Sequence, residues 1–300
     1  MLFVNIFQTQ RSIDTSEIVT VGGIRQWIRL NGEDTRNPVL LFLHGGPGGS
    51  VMSYSRKFTS KLERHFVVVQ WDQRGTGQTE KLNPSSIPSS VALFENDAFE
   101  MVRYLSHEFG KEKIFLMGQS WGGFLGLLVA WKHPELLAAC VAMGPMVSQL
   151  SSERIALDSM IDRARRSQNQ QAIDELSRVK IPFENGEQLY YHRKWLSKWQ
   201  GQRVVQRSYV ETWAKKWLAL INEASSIDLA ARVPEIRCPV YFLVGARDYQ
   251  TNRGITEQYF MSLKAPKKEL LWFAYSAHLV NITEPAKMQE VMINILKSTR

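Results

Sequence analysis

Gly118-Gln119-Ser120-Trp121-Gly122-Gly123 stands where an apolar run, Lys113-Ile114-Phe115-Leu116-Met117, gives way to Phe124-Leu125-Gly126-Leu127-Leu128-Val129-Ala130-Trp131. The first run reads as a short buried strand and the second as a buried helix, so the chain between them must turn sharply. Small residues two before and two after the serine allow that turn and thrust the hydroxyl out at the end of the strand. The helix adds its N-terminal dipole and free N–H groups, which favour negative charge beside the serine. The same pattern also occurs in plain glycine-rich turns, so its meaning depends on what the rest of the chain supplies.

A serine hydroxyl is a poor nucleophile at neutral pH, and a catalytic serine needs a base, an orienting carboxylate and an oxyanion hole. Where a serine sits on such an elbow, the acid and then the histidine follow it in the chain, each in a loop after a later strand. His133, His192 and His278 follow Ser120. His133 precedes Pro134, which ends the elbow helix, and His192 lies in the polar stretch Tyr190-Tyr191-His192-Arg193-Lys194 with no strand before it. His278 alone follows an apolar strand, Glu269-Leu270-Leu271-Trp272-Phe273-Ala274, through a short turn. The preceding strand, Pro239-Val240-Tyr241-Phe242-Leu243-Val244, runs into Gly245-Ala246-Arg247-Asp248, which makes Asp248 the expected orienting carboxylate.

The oxyanion hole is expected at Leu40-Leu41-Phe42-Leu43-His44-Gly45-Gly46-Pro47-Gly48-Gly49, where a strand runs straight into glycines that can bring backbone close to the site. Gly46 N–H and Trp121 N–H are the expected donors, and His44 is expected to brace the loop rather than act as base. Ser120, Asp248 and His278 then form the expected triad. These residues resemble the α/β-hydrolase superfamily. Three blocks narrow the resemblance to the proline iminopeptidase group of serine peptidases: His44-Gly45-Gly46-Pro47-Gly48-Gly49, Asp72-Gln73-Arg74-Gly75-Thr76-Gly77-Gln78-Thr79 and the elbow itself. The resemblance spans about residues 15–145 and 235–300 and fades between them.

The layout agrees with that reading. Extended runs near 16–30 and strands near 38–43, 66–71 and 113–117 alternate with helical patterns near 90–109 and 120–132. This predicts an α/β fold with a mostly parallel central sheet flanked by helices, its first two strands antiparallel. Ligands of such sheets bind at the strand C-termini, where Gly46, Ser120, Asp248 and His278 all fall. Residues 1–145 and 234–300 are expected to form the α/β-hydrolase core and 146–233 an inserted helical cap over Ser120. Three hundred residues, 44% of them hydrophobic, suffice for one such core.

Cys140 and Cys238 sit in apolar runs as small hydrophobes, and no spacing suggests a metal site. No metal or organic cofactor is implied. Met1-Leu2-Phe3-Val4-Asn5-Ile6-Phe7 is apolar but lacks the basic start of a signal peptide, and no stretch reaches membrane-spanning length, so a cytoplasmic enzyme is expected. The net charge of +8 is scattered among acids, with the densest cluster, Arg163-Ala164-Arg165-Arg166, beside Asp158, Asp162 and Asp174. That argues against a nucleic-acid surface. The sequence is silent on oligomeric state.

The resemblance implies release of N-terminal proline or another small residue from short peptides. Such an enzyme must hold the substrate's α-ammonium, for which a carboxylate is the natural partner. The family's cap carries a Trp-Glu-Gly, whereas the nearest stretch here is Trp199-Gln200-Gly201, and Gln200 has no charge to offer. Glu184, Glu187, Glu211 and Glu223 are the alternatives, with Glu211 the first choice. Ser276-Ala277-His278 also departs from the family's usual Gly-His. An esterase, lactonase or amidase acting on a small neutral substrate is the alternative function, and a catalytically silent binding protein the remote one. Trp195 with Trp199, and Trp213 with Trp217, are expected mainly to pack helices together.

Overall fold

Two antiparallel strands, β1 (Ile13–Val21) and β2 (Ile24–Gly32), come first among the described residues. They join at Gly22-Gly23, both with positive φ, as a two-residue turn between twisted strands requires. The computed structural model describes residues 12–85 and 90–299, and the stretch Met1–Phe7 lies outside the described residues. Next come β3 (Val39–Leu43), α1 (Arg56–Thr59), β4 (Val67–Asp72), α2 (Gly77–Leu82) and α3 (Val91–Glu108). The elbow strand β5 (Ile114–Gln119) leads into α4 (Trp121–Lys132), and β6 (Leu137–Met143) follows.

Between β6 and the next strand lies a helical insertion: α5 (Gln149–Arg166), α6 (Gln170–Leu176), α7 (Gly186–Trp199), α8 (Arg207–Ser226) and α9 (Leu229–Arg232). The sheet resumes with β7 (Val240–Gly245), α10 (Arg253–Ser262), β8 (Lys268–Phe273), α11 (Val280–Thr283) and α12 (Pro285–Thr299).

The strands form one sheet in the order β1-β2-β4-β3-β5-β6-β7-β8. β2 is antiparallel to β1 and β4, and the pairs from β4 to β8 are parallel. Every residue of β3, β4, β5 and β7 is buried, because helices cover both faces and leave no solvent side for polar alternation. Alternation appears instead as a division between two cores. Leu41, Leu43 and Leu116 point to the side of α3 and α4, while Leu40, Phe42, Phe115 and Met117 point to the side of α12. The insertion joins the first core through Trp217, Leu220 and Ala224 of α8. No helix among the described residues is long and apolar enough to cross a membrane.

The tightest packing is at the elbow. A Cβ on Gly122 would lie 2.1 Å from the Leu43 carbonyl oxygen, and one on Gly118 would lie 2.1 Å from the Gly122 carbonyl oxygen. Backbone meets backbone there, so neither partner can rotate away. Gly122→Ala is expected to destabilise the fold by about 3 kcal/mol or more, read by urea unfolding; a value within about 0.5 kcal/mol of wild type, the range of neutral surface changes, would contradict this packing.

Candidate active site

Ser120 sits between β5 and α4 with φ 57° and ψ −114°, a left-handed backbone that a non-glycine residue rarely adopts. Its own N–H donates to Met143 O at 2.8 Å and its carbonyl accepts from Phe124 N–H at 2.9 Å, so both sides of the turn are tied down. Trp121 opens α4, where a backbone N–H has no acceptor inside the helix.

Asp248 and His278 come together from two loops. The Nδ1–H of His278 donates to Asp248 Oδ2 over 2.9 Å, and both residues are buried. Asp248 also accepts from Gln250 N–H at 2.9 Å, Thr251 N–H at 3.1 Å and the Thr251 hydroxyl at 2.8 Å. Burial alone would raise this carboxyl, but the His278 ring and the Thr251 donors outweigh it and hold it below the ordinary carboxylate range. On the other side of the ring, the Gln119 side-chain amide lies 3.3 Å from His278 Nε2. Two glycines make room: a Cβ on Gly144 would lie 3.0 Å from Asp248 Oδ2, and one on Gly245 would lie 1.9 Å from Ala277 O.

The glycine loop after β3 is braced from below and clamped from above. His44 is fully buried; its Nδ1 meets Gly45 O at 2.9 Å, and its Nε2 accepts from Gln73 N–H at 3.2 Å. Gln73 in turn donates to His44 O at 3.0 Å and accepts from Trp121 Nε1 at 3.0 Å, which links loop, elbow and the Asp72–Thr79 block. Burial pushes the His44 pKa down, as suits a neutral brace. From above, Trp213 of α8 donates through Nε1 to Pro47 O at 2.8 Å, and a Cβ on Gly48 would lie 2.6 Å from the Trp217 indole nitrogen. Lys216, between them on the helix, donates to Gly75 O at 2.6 Å and pairs with Glu80. One helix of the insertion therefore holds the glycine loop in place.

Ser120, His278 and Gly46 face one cavity of about 600 Å³ roofed by the insertion. Phe183, Leu189, Val210 and Trp213 supply apolar wall, and Val205, Tyr209, Leu279 and Ile282 carry exposed apolar surface into it. Its carboxylate and guanidinium side chains are Glu153, Arg193 and Arg203.

A family profile described as the α/β-hydrolase fold matches residues 38–285. The chain belongs to the α/β-hydrolase family. This hydrolase is 28% identical to a probable aminopeptidase of Bacillus subtilis strain 168 (YbaC), over 92% of this chain and 94% of that one. It is also 28% identical to a putative carbamate hydrolase (RutD) of Agrobacterium fabrum, over 84% of this chain and 90% of the relative. The crystal structure of proline iminopeptidase from Mycobacterium smegmatis superposes with a TM-score of 0.66 at 17% identity, covering 95% of this chain and 98% of that one. The hydrolase thus resembles the proline iminopeptidases in chain layout as well as in its motifs.

The expectation for Glu211 needs correction. Its carboxylate accepts from Arg207 Nε at 2.7 Å, one helical turn back on α8, and it is absent from the cavity wall. Glu184, Glu187 and Glu223 are likewise engaged elsewhere, by Lys180, Arg207 and the Val91 N–H, and Gln200 reaches the Arg247 carbonyl. Of the four tryptophans of the insertion, Trp195, Trp199 and Trp217 pack in or against hydrophobic clusters, while Trp213 also lines the cavity.

The carboxylate that does line the wall of this hydrolase is Glu153, which no local pattern marks out. Its one available signal is Gln149-x-x-x-Glu153, a spacing that places both residues on one helix face. Glu153 binds Arg193, and next to that pair His192 is fully buried with its Nε2 3.2 Å from Glu153 O.

Burial pushes the pKa of His192 down to about 4 from an ordinary 6.5. Below the ordinary value the unfolded chain takes up a proton that the folded chain refuses, so stability falls as pH drops through this interval. The expected loss is on the order of 3 kcal/mol between pH about 7 and 4. His192→Gln is expected to flatten this part of the urea-unfolding profile; an unchanged slope in the variant would contradict the assignment.

Proposed function

We propose that this chain is a serine hydrolase that cleaves an ester or amide bond by acyl transfer, with Ser120 as nucleophile. The observation that carries the reading is the buried His278–Asp248 hydrogen bond of 2.9 Å beside a serine held in a left-handed elbow on the same cavity. Ser120 Oγ attacks the substrate carbonyl carbon while His278 Nε2 takes its proton, and Asp248 keeps Nδ1 protonated and steadies the imidazolium. For this the Gln119 amide must swing away from His278 Nε2 as substrate enters. The N–H groups of Gly46 and Trp121 receive the oxyanion, each worth about 3 kcal/mol of barrier. Collapse expels the alcohol or amine with the proton returned by His278, and water repeats the sequence on the acyl-enzyme.

A cavity of about 600 Å³ has the size of sites for drug-sized ligands, larger than a single small residue needs. Its apolar wall and rim suit a substantial apolar acyl group. An aminopeptidase acting on an N-terminal residue, proline included, is the second reading, supported by the aminopeptidase name of the Bacillus relative.

A fluorophosphonate probe and two chromogenic substrates test these readings. Wild type is expected to label and Ser120→Ala to remain unlabelled, with p-nitrophenyl ester hydrolysis reduced at least roughly 10³-fold in the variant. Equal labelling of both proteins would overturn the serine mechanism. Release from proline p-nitroanilide at a rate matching the ester would favour the aminopeptidase reading.

A further inference from the structure

Among the described residues lining the cavity, Glu153 is the one carboxylate, and it is fully engaged. Arg193 Nη1 donates to Oε2 at 2.7 Å and Arg193 Nη2 to Oε1 at 2.5 Å, a two-pronged pair. Gln149 Nε2 adds a third bond to Oε1 at 2.7 Å, and His192 Nε2 lies 3.4 Å from Oε2. Three donors thus hold both carboxylate oxygens, while the His192 Nε2–H is taken up by the Glu153 backbone carbonyl.

The pair is also locked in place. Glu153 on α5 is 3% exposed, and the Arg193 guanidinium on α7 packs 5.5 Å from the centre of the Phe183 ring. Burial by itself would raise the Glu153 carboxyl, yet the Arg193 charge outweighs it and the group stays below its ordinary range, ionised and paired. The remaining wall cation, Arg203, makes no ion pair among the described residues, so the wall as a whole is positive rather than negative. A substrate ammonium entering this cavity finds no free anion. What the wall does leave without a partner is a neutral acceptor, the buried Gln149 Oε1, which suits an uncharged N–H.

We propose that this cavity, its one carboxylate masked by Arg193, selects acyl groups that carry no free ammonium, such as fatty or N-acylated acyl groups, and that Arg193 sets the preference by occupying Glu153. This rests on the reading of Ser120 as the acylated residue. Arg193 is a specificity-determining residue, and its removal should expose a carboxylate able to hold an amine.

The test uses two esters that differ at one position, leucine p-nitrophenyl ester and its N-acetyl derivative. For wild type, kcat/KM is expected to be at least tenfold higher for the N-acetyl ester. In Arg193→Met the ratio should move at least tenfold toward the free amine. The neutral double variant Glu153→Gln/Arg193→Met should keep the wild-type preference, because it has neither the guanidinium nor the anion. A wild-type enzyme that takes the free amine equally well or better overturns the proposal, as does a folded Arg193→Met variant with an unmoved ratio. If that variant does not fold, the wild-type ratio decides alone. Ester turnover that survives Ser120→Ala would instead overturn the reading of Ser120.

Discussion

The site depends on one backbone constraint, the left-handed turn at Ser120. A serine at φ 57° is unfavourable by itself and persists because its surroundings leave no alternative. β5 is hydrogen-bonded on both sides, α4 is buried from Trp121 to Ala130, and the Gly122 backbone presses against Leu43. The same contact that enforces the turn brings the start of the glycine loop next to the start of α4. Ser120 and the backbone N–H groups proposed as oxyanion donors are thus placed by one packing event, and the parallel sheet supplies the loops for Asp248 and His278 at the same edge.

The insertion does more than enclose space. Trp213, Lys216 and Trp217, within about one turn of α8, touch the glycine loop or the segment after β4. Movement of α8 therefore moves Gly46 and its neighbours, so the roof of the cavity and the geometry of the glycine loop are not independent. The charges show a similar economy: the buried Glu153 and the half-buried Arg193 line the same cavity as Ser120 and neutralise each other.

Much of this was legible in the residues. Continuous apolar runs bounded by glycine located β3, β5 and β7 to within a residue or two, because a strand buried on both faces has no other way to be written. The loop positions of Asp248 and His278 followed from those strands, and His44 as a brace followed from the presence of a better-placed histidine. The wall of the cavity was not legible. Glu153 and Arg193 are separated by 40 residues and meet only through the packing of α5 on α7. A charged residue on a helix reads the same whether it faces solvent or a cavity. Glu211, the first choice among the insertion glutamates, illustrates the opposite error: Arg207, one helical turn earlier, is its partner.

The acyl-enzyme on Ser120 is the central claim, and mass spectrometry of protein quenched in the pre-steady state with a p-nitrophenyl ester tests it most directly. One acyl group per chain is expected, confined to the peptide that contains Ser120 and formed with a burst of p-nitrophenol. Turnover with no adduct, or an adduct on another residue, would contradict it.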